Sequence, residues 1–240
     1  MAQKSKIEWT ESTWNPVTGC HKISAGCENC YAQRMAIRLQ KMGNAKYANG
    51  FKLTLQDTCL SDPLKWKKPM LIFVNSMSDL FHKNVPMEYI QKVFDVMNNC
   101  PQHVFQVLTK RAARLKSIAE KVTWTDNIWL GVTVENEACK ERIEYLQGVP
   151  AKVKFISFEP LLDDVGALNL IGIDWAIIGG ESGWKARPMQ EEWVLNIKKQ
   201  CEEQSTLFYF KQWGGVNKKK TGRTLLERTW DDMPAVSSVI

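Results

Sequence analysis

The chain has 240 residues, 44% of them hydrophobic and 24% charged, and a net charge of +6. These proportions exclude a disordered or low-complexity chain and describe an ordinary folded one. No apolar run approaches the ~20 residues that a membrane-spanning helix needs, and the stretch from Met1 to Lys6 holds no apolar signal core. The expected compartment is therefore the cytoplasm, with no membrane partner. The positive balance permits a polyanionic partner without requiring one.

In chain order, weak strand patterns lie near residues 7–9 and 53–55. Between them sits a loop carrying Cys20, Cys27 and Cys30, followed by an apolar stripe of Ala32, Met35, Ala36, Leu39 and Met42 at helical spacing. Six short runs then read as strands: 71–74, 104–108, 128–132, 153–156, 175–178 and 207–210. Each is nearly continuously apolar and rich in β-branched or aromatic residues, as parallel strands buried on both faces are. Amphipathic helices fall between them. One starts at Pro86, carries Ile90, Val93, Phe94 and Met97, and stops at Pro101. Others cover 110–118, a segment capped by Asn136 with Cys139, Ile143 and Leu146, and a segment with Trp193, Val194, Ile197 and Cys201.

Alternating strands and helices predict an α/β fold, a complete or partial (β/α) TIM-type barrel with parallel strands. A doubly wound open sheet is the alternative, but no glycine-rich dinucleotide fingerprint follows any strand. Residues 1–213 are expected to form the barrel domain with its N-terminal cysteine loop. Residues 214–240 read as a basic tail rather than a second domain.

Seven cysteines, an odd number in a chain without a signal core, argue against a disulfide framework. Cys59, Cys100, Cys139 and Cys201 are isolated and read as small buried hydrophobes. Cys20, Cys27 and Cys30 differ, because three thiols share one loop. Thiolates are soft ligands that suit zinc or an iron–sulfur cluster. A structural zinc needs four ligands, with His21 as the available fourth. A cluster with one open iron needs none.

Polar residues follow the strands. Asn75, Ser76 and Asp79 come after the first of the six, Thr109, Lys110 and Arg111 after the second, and Thr133, Glu135 and Asn136 after the third. Glu159, Glu181 and Lys211 follow the last three. In a parallel barrel those ends share one face, where loops build the site. The cysteine loop is expected to open there.

Several stretches together carry a family resemblance: Glu8-Trp9, Trp14-Asn15-Pro16-Val17-Thr18-Gly19-Cys20, Cys27-Glu28-Asn29-Cys30-Tyr31, Asn75-Ser76-Met77-Ser78-Asp79 and Thr109-Lys110-Arg111. Gly131-Val132-Thr133-Val134-Glu135-Asn136, Ser157-Phe158-Glu159-Pro160, Gly179-Gly180-Glu181-Ser182, Ala186-Arg187-Pro188-Met189 and Phe210-Lys211-Gln212-Trp213-Gly214 continue it. The chain resembles the radical S-adenosylmethionine superfamily. More closely, it resembles a phage-associated three-cysteine family related to short spore-photoproduct-lyase-like proteins. It departs from the superfamily spacing by having six residues, rather than three, between the first two cysteines. Its Gly179-Gly180-Glu181 also comes late for the superfamily's methionine-binding motif.

The resemblance implies a [4Fe-4S] cluster on Cys20, Cys27 and Cys30 whose open iron binds S-adenosylmethionine. One electron, from a donor such as flavodoxin or ferredoxin, would give a 5′-deoxyadenosyl radical that removes a hydrogen atom from the substrate. Asn75, Ser76, Asp79, Thr109, Lys110, Thr133 and Glu135 become expected cofactor-binding residues. Tyr31 would pack on the adenine or shield the cluster. Glu159, Glu181 and Lys211 become the expected catalytic residues, binding substrate or a phosphate. The implied substrate is DNA or a modified nucleobase, in repair or hypermodification. A small metabolite or nucleotide is an alternative, and so is a non-catalytic, zinc-stabilised nucleic-acid-binding protein.

Overall fold

The computed structural model describes residues 3–5 and 7–236. A two-residue strand β1 (Gln3–Lys4) precedes β2 (Ser12–Trp14) and β3 (Val17–Thr18). The cysteine loop leads into α1 (Tyr31–Lys41), and β4 (Thr54–Leu55) follows. Then come β5 (Leu71–Val74), α2 (Met87–Asn98), β6 (Val104–Thr109), α3 (Ala112–Ala119), β7 (Ile128–Thr133) and α4 (Glu141–Gln147). The last elements are β8 (Lys154–Phe158), β9 (Trp175–Gly179), α5 (Glu191–Glu203), β10 (Leu207–Gln212) and a short α6 (Lys218–Thr221).

The main sheet runs β1-β2-β5-β6-β7-β8-β9-β10. β1 is antiparallel to β2, and the other seven strands are mutually parallel. Each parallel strand lies beside its predecessor in the chain, with no reversal of order. That winding belongs to a barrel; a doubly wound sheet would reverse. The sheet curls into a half-barrel, the partial form of the expected fold. β3 and β4 pair separately beside it.

All six strong strand expectations hold to within two residues at either end. The weak one at 7–9 does not: those residues form a turn, and the first parallel strand is Ser12–Trp14. The signal at 7–9 came from Trp9, which is buried for another reason given below. Pro86 precedes α2 rather than opening it, because its backbone is extended (φ −61°, ψ 149°). Asn136 makes no side-chain cap and introduces only a 3₁₀ turn, Glu137–Cys139; α4 starts at Glu141.

Strand pleating sends alternate residues to opposite faces. On the convex face, Phe105, Val107, Leu130, Ile156, Ile178 and Phe210 meet the apolar stripes of the helices in the main core. On the concave face a smaller aromatic cluster forms from Trp9, Trp129, Phe155, Trp175 and Tyr209. Trp9 is the plug of that cluster, with ring centroids 4.8 Å from Phe73 and 6.3 Å from both Phe155 and Trp175. Gln106 Nε2 fixes it by donating to the Trp9 carbonyl at 3.2 Å. Beyond β10, Trp230 accepts through its carbonyl from Phe210 N and stacks on Lys198 and Arg228. The described part of the tail is thus packed on the last strand.

Candidate functional site

The cysteine loop crosses the C-terminal ends of the parallel strands and is pinned there at several points. Gly19 N donates to Met77 O, after β5, and Cys20 N donates to Phe51 O. Gly19 has φ +79°, and a Cβ at that position would collide with the Lys52 carbonyl, so only glycine fits the entry to the loop. After β6, Arg111 donates to His21 O at 3.0 Å and lies 3.7 Å from Cys20 Sγ. After β7, Glu135 accepts from Ser24 Oγ at 2.5 Å. The loop presses so closely on this carboxylate that a Cβ on Gly26 would overlap it. After β9, Glu181 accepts from Asn29 Nδ2 at 3.0 Å.

The two carboxylates are charge-clamped. Glu135 is fully buried and accepts from Lys110 Nζ at 2.6 Å and Arg142 at 2.8 Å. Burial alone raises its pKa, but the Lys110 and Arg142 charges outweigh burial and bring it to about 2. Glu181 receives Arg187 NH2 at 2.6 Å, with Nε and the Arg187 amide both at 2.9 Å. Burial opposes its ionisation, yet these bonds and Asn29 bring it to about 2 as well. Arg187 also reaches Ala25 O at 3.0 Å and Glu28 at 3.3 Å, so it ties both halves of the loop to β9. Arg34 of α1 adds a bond to Ser182 O at 2.8 Å.

The expected site residues fall into separate groups. Asp79, Thr109 and Lys110 come together: Asp79 accepts from Thr109 Oγ1 at 2.8 Å and from Lys110 N at 3.1 Å. Burial pushes the Asp79 carboxyl up despite those bonds. Lys110 and Glu135 form the ion pair above, and the Thr133 carbonyl accepts from Arg142 at 2.6 Å. Asn75 and Ser76 brace the 15–17 segment. Asn75 Oδ1 accepts from Val17 N, and Ser76 Oγ donates to Asn15 Oδ1. Tyr31 opens α1 and is 60% exposed.

Glu159 and Lys211 pair at 2.8 Å, each largely buried. Lys211 is the extra residue of a bulge in β10, a device that re-aims side chains. It sits 5.9 Å from the Trp9 ring centroid, over the aromatic floor. Glu159 Oε1, Ser157 Oγ and Gln106 Oε1 are buried and meet no hydrogen-bond partner among the described residues. Gln106 and Ser157 share the concave face of the pleat. Buried polar atoms left unpaired are costly and mark places where a ligand group can supply the partner.

His21 and His82 add a feature not anticipated from the sequence. His82 is fully buried, and burial followed by the Arg111 charge holds its pKa at about 4, so the ring is neutral. Its Nδ1 accepts from Asn84 N at 3.1 Å, which leaves the proton on Nε2 to be donated to His21 Nδ1 at 2.7 Å. His21 is thereby oriented by His82.

All three loop cysteines are free and partly exposed. Among the described residues, no three His, Cys, Asp or Glu side chains converge closely enough for a single metal ion. The donor set, three free thiols on a loop pinned at four strand ends, has the soft-ligand chemistry that an iron–sulfur cluster takes.

The fold and site define a half-barrel with a three-cysteine loop over its mouth. It is similar to spore photoproduct lyase complexed with dinucleoside spore photoproduct, with a TM-score of 0.52 at 10% identity, covering 85% of this chain and 64% of that one. A double mutant of that enzyme with bound AdoMet and dinucleoside spore photoproduct matches equally, at 9% identity and the same coverage. The chain spans about 64% of the length of the lyase structures it matches. By sequence the chain belongs to a protein family of unknown function, DUF5131, whose model matches residues 4–234. No curated protein matches it. No helix among the described residues is long and apolar enough to cross a membrane.

Proposed function

We propose that this protein is a radical S-adenosylmethionine enzyme acting on DNA or a modified nucleobase. The observation that carries the reading is the cysteine loop, held over the half-barrel mouth by two charge-clamped carboxylates. Cys20, Cys27 and Cys30 would hold a [4Fe-4S] cluster. When bound, that cluster supplies the electron that cleaves S-adenosylmethionine to methionine and a hydrogen-abstracting 5′-deoxyadenosyl group.

The chain's own residues then position and shield. Glu135 and Glu181 are positioning residues: they fix Ser24, Gly26 and Asn29, and through them the spacing of the thiols. Asp79 aligns Thr109 and Lys110 at the adjoining strand end. The aromatic floor under Trp9 excludes water from the concave face. Glu159 and Lys211, with Gln106 and Ser157, offer a charged pair and unpaired hydrogen-bonding atoms above a wall of rings. That combination suits a heteroaromatic base, which needs stacking and a few edge contacts. Likeness to an enzyme solved with a dinucleoside lesion supports the same substrate class. The phage association implied by the sequence resemblance would extend it to hypermodified viral bases.

Anaerobic reconstitution with iron and sulfide tests the reading. About four irons per chain are expected, with loss of the bound iron in Cys20→Ala, Cys27→Ala and Cys30→Ala. A single tightly bound zinc, or iron retained in all three variants, would overturn it.

A further inference from the structure

Beside the cysteine loop, outside the concave face, an open groove of about 330 Å³ runs between the 81–85 segment, the start of α3 and the start of α4. Its wall carries Lys83, Lys110, Arg111, Arg114 and Arg142, against one lining carboxylate, Glu141. Behind the wall, Glu135 is shared by Lys110 and Arg142, and Asp79 stands 3.8 Å from Arg111 Nε. Five cations against three carboxylates leave a net charge of +2 in one concavity. Arg114 spends its hydrogen bonds on the carbonyls of Phe81 and Val85, which neutralise nothing. Lys83 has no hydrogen-bond or ion-pair partner among the described residues and is exposed. Ile23 and Tyr145 supply apolar wall beside the cations.

We infer that this groove binds a phosphate group of a nucleotide chain, on the flank of the cysteine loop and distinct from the concave face. Clustered arginines favour phosphate because the guanidinium fork matches its oxygens in pairs. The volume takes a phosphate with part of its sugar, and Ile23 and Tyr145 suit the sugar's apolar edges. Arg111 spans both regions, since it lines the groove and also holds His21 O. A phosphate here anchors a strand whose neighbouring base reaches the mouth. In that respect the inference deepens the nucleic-acid reading above and rests on it.

The test is fluorescence anisotropy with a short fluorescein-labelled oligothymidylate and the protein as purified, titrated at several salt concentrations. Lys83→Glu and Ala113→Glu each place a carboxylate in the groove. Ala113 is exposed in the first turn of α3, where an acid favours the helix dipole, so lost binding there does not report unfolding. Lys152→Glu makes the Lys83 charge change just before β8, at the opposite end of the strands. Each groove variant is expected to weaken binding about tenfold and to lower the log–log salt slope by about 1, while Lys152→Glu stays within about twofold of the parent. Equal losses in all three variants, unchanged binding in the groove variants, or no binding by the parent would overturn the inference. Thymidine 5′-monophosphate and inorganic phosphate are added as competitors. Displacement by the mononucleotide assigns the groove to a terminal phosphate, and resistance to it assigns the groove to the backbone phosphodiester. The assay needs no cluster, so its failure leaves the radical chemistry standing, and failed cluster assembly leaves the groove standing.

Discussion

Replacing Glu135 by glutamine tests the clamp that holds the cysteine loop. Glutamine keeps the shape but carries no charge, so Lys110 and Arg142 lose their shared counter-ion and Ser24 loses a charged acceptor. The displacement of the Glu135 carboxyl from 4.5 to about 2 corresponds to about 3 kcal/mol of stability. Removing one partner from a buried ion pair costs about 3–5 kcal/mol, which agrees. Because the folded-state pKa is depressed, this contribution is complete above about pH 4.5 and is lost as the pH falls toward 2. Urea unfolding followed by tryptophan fluorescence, on the parent and Glu135→Gln across pH 7 to 3, reads the difference. The gap between the two proteins is expected to be about 3 kcal/mol at pH 7 and to shrink steadily below about pH 4.5. A gap below about 0.5 kcal/mol at pH 7, or one that does not change with pH, would refute the reasoning.

Other perturbations probe the rest of the framework. Trp9→Ala empties the centre of the concave cluster and should cost about 3–5 kcal/mol in urea unfolding; a cost under about 1 kcal/mol would mean the floor is not packed as described. Gly19→Ala forces a Cβ into the Lys52 carbonyl at φ +79°, with an expected loss above about 1 kcal/mol; a neutral change in melting temperature would contradict the tight loop entry. Arg187→Met frees Ala25 and Glu28 from their tie to the β9 end. It should lower the iron taken up on reconstitution while far-UV circular dichroism stays at the parent level, and full iron uptake would remove Arg187 from the loop's support.

The strands were legible because burial on both faces writes itself as unbroken apolar runs, as in Ile128–Thr133 and Trp175–Gly179. β2 was not, since its three residues, Ser12-Thr13-Trp14, include two hydroxyls and leave too little length for a pattern. The large apolar residue at Trp9 drew the strand reading to the wrong place, although Trp9 is buried as a plug against the concave face. The polar strand ends and the cysteine loop stood out as local motifs. The clamps did not, because Ser24 and Glu135 are 111 residues apart and Asn29 and Glu181 are 152 apart. Nothing in the periodicity around Arg142 or Arg187 marks a partner at such range. The His21–His82 pair, 61 residues apart, was invisible for the same reason.

The central claim is that three sulfurs on this loop make a radical-generating centre. Its most direct measurement is 5′-deoxyadenosine released when the anaerobically reconstituted protein is given S-adenosylmethionine and dithionite. The account predicts its formation by the parent and its loss in each single cysteine variant of the loop. A fully iron-loaded parent that releases none, or variants that release as much as the parent, would contradict it.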